Sequence, residues 1–144
     1  MSSNTSTSDE KGENMTPDGH YIFAVDFDGT LIIGNTWPDL DGEMNKQLIE
    51  YLIREQKEYG SKIILNTNRT GIALNDAIRI LECFGLEFDA VNENLPEIIE
   101  AYGSDSRKIS ADLYIDDKAI NPNYFDFMRL NLYGKRIVRK EGEK

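Results

Sequence analysis

Residues 21–30 read Tyr21-Ile22-Phe23-Ala24-Val25-Asp26-Phe27-Asp28-Gly29-Thr30. A mostly apolar run leads straight into a carboxylate, and a second carboxylate follows two positions later, just before a glycine. An unbroken apolar run of this length reads as a strand buried on both faces, as in parallel sheets, rather than the alternating pattern of a half-solvated antiparallel surface. Similar short runs recur at Lys62–Leu65 (KIIL), Phe88–Val91 (FDAV) and Leu113–Ile115 (LYI). Between the first two, Met44, Leu48, Ile49, Leu52 and Ile53 fall at helical spacing, with Asp41 as the expected cap and Gly60 as the stop. Leu74, Ala77, Ile78, Leu81 and Phe84 repeat the pattern before Gly85, and Pro96–Ala101 suits a shorter helix. Strand and helix alternate, and each crossover must pass over the sheet. The pattern therefore predicts an α/β domain: a doubly wound parallel sheet with helices on both faces.

The 144 residues suit one domain, and 40% hydrophobic residues give it enough apolar surface for a core. Residues 1–19 contain only Met1 and Met15 as large apolar side chains and carry four acids against Lys11, so they are expected to be a disordered acidic segment. The folded domain is expected over 20–134, followed by a basic tail at 135–144 with Lys135, Arg136, Arg139, Lys140 and Lys144. No apolar run reaches the ~20 residues of a membrane helix, and the first residues lack a basic-then-apolar leader pattern; a cytoplasmic protein without membrane association is expected. A single cysteine, Cys83, excludes an internal disulfide or a cysteine-built metal site, and a single histidine, His20, excludes a multi-histidine one. The net charge of −10 opposes nucleic-acid binding. Cys83 reads as a packing residue and His20 as a strand-edge residue.

In sheets of this kind chemistry collects at the carboxyl ends of the strands. There the sequence places Asp26 and Asp28 after the first strand, Asn66-Thr67-Asn68-Arg69 after the second, and Asp116-Asp117 after the last. Four carboxylates brought to one edge repel one another unless a cation sits among them, so Asp26, Asp28, Asp116 and Asp117 are candidate metal ligands. An all-oxygen ligand set suits Mg²⁺, which is commonly shared with a substrate phosphate. One of Asp26 and Asp28 can attack while the other handles protons. Lys108 and the Thr67 hydroxyl are candidate phosphate-binding groups, and Asn68 and Arg69 candidate substrate contacts, although Arg69 can equally pair with a nearby acid. Trp37-Pro38, in the loop after the first acidic motif, reads either as a substrate-facing flap or as a local apolar plug.

DFDGT after an apolar strand, Thr67 after the next, Lys108, and the Asp116-Asp117 pair ending a later strand, in this order, resemble the motifs of the haloacid dehalogenase (HAD) superfamily. The resemblance covers about residues 21–125 and is nearest to the small uncapped hydrolases of bacteria and phages, in which stretches like GLEFDAVNEN and SRKISADLYIDD also occur. It implies a HAD-like, Rossmann-like phosphatase acting through an aspartyl-phosphate. Asp26 would be the nucleophile and Asp28 the acid and base. Thr67 and Lys108 would hold phosphoryl oxygens, and Asp117 would bind Mg²⁺ with Asp26 and the Asp28 carbonyl, supported by Asp116. No cap domain is expected, because only 11 residues separate Leu31 from Asp41 inclusive and the Asn92–Leu95 segment is shorter still. An open site admits a small phosphorylated metabolite or a phosphate on a larger molecule. The competing readings are a phosphoacceptor signalling module, which places its acidic pair differently, and a catalytically silent HAD-like binding protein.

Overall fold

A computed structural model describes residues 19–34, 36–119 and 121. The expected acidic segment 1–19, apart from its last residue, and the basic tail 135–144 lie outside the described residues, as does the end of the expected domain. Strand β1 spans Ile22–Val25, and β2 (Ile32–Ile33) and β3 (Glu43–Met44) form a short antiparallel ribbon after it. Helix α1 (Lys46–Tyr59), β4 (Lys62–Leu65), α2 (Gly71–Phe84), β5 (Ala90–Val91), α3 (Pro96–Tyr102) and β6 (Leu113–Ile115) follow. The main sheet has the order β5-β4-β1-β6 with every pairing parallel.

The central place of β1 follows from its side chains. All of Ile22, Phe23, Ala24 and Val25 are buried, as a strand covered on both faces requires. Because successive side chains on a strand point to opposite faces, the four divide between two cores. Phe23 and Val25 join Ile63 and Leu65 of β4, with Ile49 and Leu52 of α1 and Ala77 and Leu81 of α2. Ile22 and Ala24 join Ile64 of β4 and Ala90 of β5, with Leu95, Ile98 of α3 and Ile109. Fully burying side chains of this size stabilises the fold by about 1.5–3 kcal/mol each, which is what locks the register that positions the strand ends. Two aspartates serve the strand beginnings: Asp112 Oδ2 accepts from Ile22 N and Asp89 Oδ2 from Ile63 N, both at 2.8 Å.

The strands and helices expected from the sequence are present, with three corrections. The Phe88–Val91 run shortens to Ala90–Val91 because Asp89 turns to cap β4. Helix α1 is capped by Asn45 rather than Asp41: Asn45 Oδ1 accepts from Leu48 N at 3.2 Å, while its Nδ2 donates to the Thr30 carbonyl at 3.0 Å. Residues 43–44 are drawn into the ribbon, which moves the helix start past Asp41. Cys83 is exposed on α2 rather than packed inside. Gly60 and Gly85 end their helices in the left-handed region, as expected. Among the described residues, no helix is long and apolar enough to cross a membrane.

Candidate active site

The sheet register builds the site. Val25 pairs with Leu65 on one side and Ile115 on the other, so the next residue of each strand, Asn66, Asp26 and Asp116, emerges along one edge. Backbone hydrogen bonds carry the pairing one step further, from Asp26 N to the Ile115 carbonyl at 3.0 Å and from Asn66 N to the Val25 carbonyl at 2.8 Å. Asp26, Asp116 and Asp117 each bring a carboxylate oxygen to within 4.8 Å of the others. Burial above all, with the charges of Asp116, Asp117 and Asp28 adding to it and a hydrogen bond from the Phe27 backbone opposing it, pushes the Asp26 carboxyl up to about 6.

The turn after Asp26 is made for this cluster. Thr30, Leu31 and Ile32 all donate backbone N–H groups to the Phe27 carbonyl, curling the chain so that Gly29 lies against Asp117. The buried Thr30 hydroxyl accepts from Asp117 N at 3.1 Å and fixes the start of the last acidic turn. Thr30 was not singled out from the sequence; its position next to Gly29 in DFDGT was the available signal.

Asp28, expected among the metal ligands, turns its carboxylate elsewhere. Arg69 grips it with Nε on Oδ2 and Nη2 on Oδ1, both at 2.8 Å, and the Thr36 hydroxyl donates to Oδ1 at 2.7 Å. The Arg69 guanidinium holds the Asp28 carboxyl below the usual carboxylate range, with Thr36 adding to the effect and burial opposing it. Arg69, expected as either a substrate contact or a partner of a local acid, is the latter, and is 1% exposed.

Thr67 and Lys108 do not meet in this structure. Thr67 lines a cavity of about 250 Å³ together with Asp26, Asp28, Asn66, Asn68 and Asp116. Its hydroxyl accepts from Arg69 N at 3.1 Å and its own N–H donates to Asn92 Oδ1 at 2.8 Å. Lys108 lines a second cavity, of about 330 Å³, that shares Asp26, Asn66 and Asp116 with the first, with its ammonium 5.4 Å from the centre of the Tyr114 ring. Lys118, not anticipated from the sequence, shares the Thr67 cavity and reaches Asp117 Oδ2 at 3.3 Å. A bland surface lysine in the sequence, it becomes notable only because it follows Asp117. The exposed Trp37 packs on Arg69, with 5.1 Å from the guanidinium carbon to the ring centre.

The fold and the site together define an α/β protein with a parallel sheet and a carboxylate cluster at its strand ends. No family model and no curated protein matches the chain. Among solved structures it is similar to a conserved protein coded by a locus of Bacteroides thetaiotaomicron, with 34% identity over 87% of this chain and 93% of that one and a TM-score of 0.59. The chain belongs to the same family as that conserved protein.

Proposed function

We propose that the chain is a Mg²⁺-dependent phosphatase of HAD type, a phosphomonoester hydrolase on a doubly wound sheet without a cap, acting in the cytoplasm. The observation that supports this most is the meeting of Asp26, Asp116 and Asp117 within 4.8 Å at the ends of two adjacent parallel strands. The donor set fits the ion: the atoms are all oxygens, and the proton affinity of Asp26 is raised partly by its acidic neighbours, a strain that a cation removes. Asp26, Asp116 and Asp117 would hold Mg²⁺, and with the Asp28 side chain committed to Arg69 only the Asp28 carbonyl remains for that purpose. Bound there, Mg²⁺ would offset the charge of the carboxylates and of the incoming phosphate.

An Asp26 oxygen is the nucleophile. It forms a bond to phosphorus as the ester oxygen departs, and water then attacks the aspartyl-phosphate to release inorganic phosphate and regenerate the carboxylate. Asp28, on the same cavity, handles the protons, one to the leaving oxygen and one from the attacking water. Arg69 favours its carboxylate form, which takes up the water's proton, and that same proton is the one handed to the leaving oxygen of the next substrate, so the cycle closes. Thr67 and Lys108, in the two cavities that share Asp26, supply donors for phosphoryl oxygens, and Asn68 lies at the wall of the Thr67 cavity. The substrate is a small phosphorylated metabolite or a phosphate on a larger molecule; the acidic chain favours neither nucleic acid nor an anionic membrane.

The test is hydrolysis of p-nitrophenyl phosphate by the purified chain. Turnover is expected with Mg²⁺, should disappear in chelator, and should be abolished by Asp26→Asn. Undiminished turnover in chelator would overturn the metal assignment, and a near wild-type rate in Asp26→Asn the nucleophile. Binding of Mg²⁺ and phosphate without turnover would favour the silent binding protein instead.

A further inference from the structure

Arg69 does more than neutralise a neighbouring acid. A guanidinium offers five N–H donors in one plane, and here they are all taken. Besides the paired bonds to Asp28, Nη2 donates to the carbonyls of Thr36 at 2.8 Å and Asp39 at 3.1 Å, and Nη1 to those of Pro38 and Ala73 at 3.2 Å each. Its guanidinium carbon also lies over the rings of Phe27 and Trp37, 4.8 Å and 5.1 Å from their centres. A buried cation is costly unless its partners are well placed. This one is compensated by a single carboxylate and a ring of carbonyls, which leaves no donor for a substrate.

Three donors, two from Arg69 and one from Thr36, fix the Asp28 carboxylate and keep it out of the Asp26, Asp116 and Asp117 cluster while it still lines the cavity. The same guanidinium pins residues 36–39. We propose that Arg69 is a positioning residue that acts through Asp28 and couples that carboxylate to the Thr36–Asp39 loop. The kinetic part of the proposal rests on the phosphatase reading; the coupling itself does not. Lysine keeps the charge but cannot form the paired bonds to the carboxylate, so Arg69→Lys separates position from charge.

The experiment uses the full chain with Arg69→Lys, Asp28→Asn and the double variant. With Mg²⁺ and p-nitrophenyl phosphate, Arg69→Lys should lower kcat about a hundredfold, as a misplaced catalytic group does, with KM little changed. The double variant should be no slower than Asp28→Asn alone, because a residue acting through another loses its effect once that partner is gone. Losses that multiply would overturn the proposal. The protein's one tryptophan gives a readout free of catalysis, since Trp37 sits on the guanidinium. Asp28→Asn should shift Trp37 emission in the absence of substrate, and unchanged emission would overturn the coupling. If Arg69→Lys does not fold, Thr36→Val, which removes only the hydroxyl donated to Asp28, takes its place in the same cycle. A wild-type chain without turnover would refute the phosphatase reading alone, and the emission shift would then decide the coupling.

Discussion

Gly29 and Asp117 are 88 positions apart in sequence and in contact in space: a methyl group on Gly29 would come within 2.4 Å of Asp117 Oδ2. The turn after β1 and the acidic turn after β6 are thus fitted to each other, and the fit places the third carboxylate of the cluster. Gly29 also has a φ of +86°, where a side chain is strained whatever the space around it.

Gly29→Ala should therefore lower stability by about 1–2 kcal/mol from the backbone alone, read as a fall in Tm, and weaken Mg²⁺ binding by more than that strain explains. Calorimetric titration with Mg²⁺ checks the second part. A variant that binds Mg²⁺ like the wild type would show that Asp117 can retreat from its place without consequence for the site.

Repulsion among the three carboxylates implies that the cation-free chain carries a cost that a substitution can relieve. Asp116→Asn should raise the Tm measured in chelator, by several degrees for each kcal/mol relieved in a domain of this size. It should also shrink the increase in Tm that Mg²⁺ gives. A lower Tm in chelator would mean that the Asp116 charge is already balanced by its surroundings.

What the sequence made legible and what it concealed divide along the range of the interactions. β1, β4 and β6 are continuous apolar runs, and α1 and α2 repeat apolar residues at helical spacing up to a glycine; each is a local signal. The carboxylates are legible because Asp26 and Asp116 directly follow such runs and Asp28 and Asp117 come close behind them. The β2–β3 ribbon was not, because two-residue strands have no periodicity, and with it went the true cap, Asn45. Arg69 and Asp28 could both be named from the sequence, but their pairing depends on how the loops fold over the strand ends, not on spacing. That Lys108 reaches the strand-end edge is legible from its charge and its place before the last strand, but that it packs over Tyr114 and lines a cavity separate from that of Thr67 depends on the fold.

The proton affinities also fix a pH signature. Asp26 titrates near 6 in the fold against an ordinary value of 3.8, so the folded chain binds this proton more tightly than the unfolded chain. The stability this contributes is present below about pH 4 and is lost as pH rises through about 6. Asp28 has the opposite sign: its lowered proton affinity stabilises the fold above its ordinary value and is lost as pH falls through its folded one. In chelator, wild-type Tm minus Asp26→Asn Tm should decline between pH 4 and pH 6 and level off above. Mg²⁺ should flatten that decline by keeping Asp26 ionised. A flat difference in chelator would mean that Asp26 is better solvated than its burial indicates.

The two lysines beside Asp26 make opposing claims on the phosphate. Lys118 shares the Thr67 cavity but is 83% exposed and already faces Asp117, so its role in the cation-free chain is that of a weak counter-ion. Lys108 packs over Tyr114 and lines a cavity that includes Asp26, where it can swing toward a phosphoryl group without leaving an acid unpaired. Lys108→Met should then reduce kcat/KM on p-nitrophenyl phosphate by about 10–100-fold, the worth of one charge-assisted hydrogen bond. Lys118→Met should leave kcat/KM within about threefold, as an exposed ion pair contributes little, and should tighten Mg²⁺ binding because a competitor for Asp117 is gone. Steady-state kinetics and Mg²⁺ titration of both variants distinguish the two. The reverse ranking, with Lys118→Met the more damaging, would make Lys118 the cation that meets the phosphate and take Lys108 out of the site.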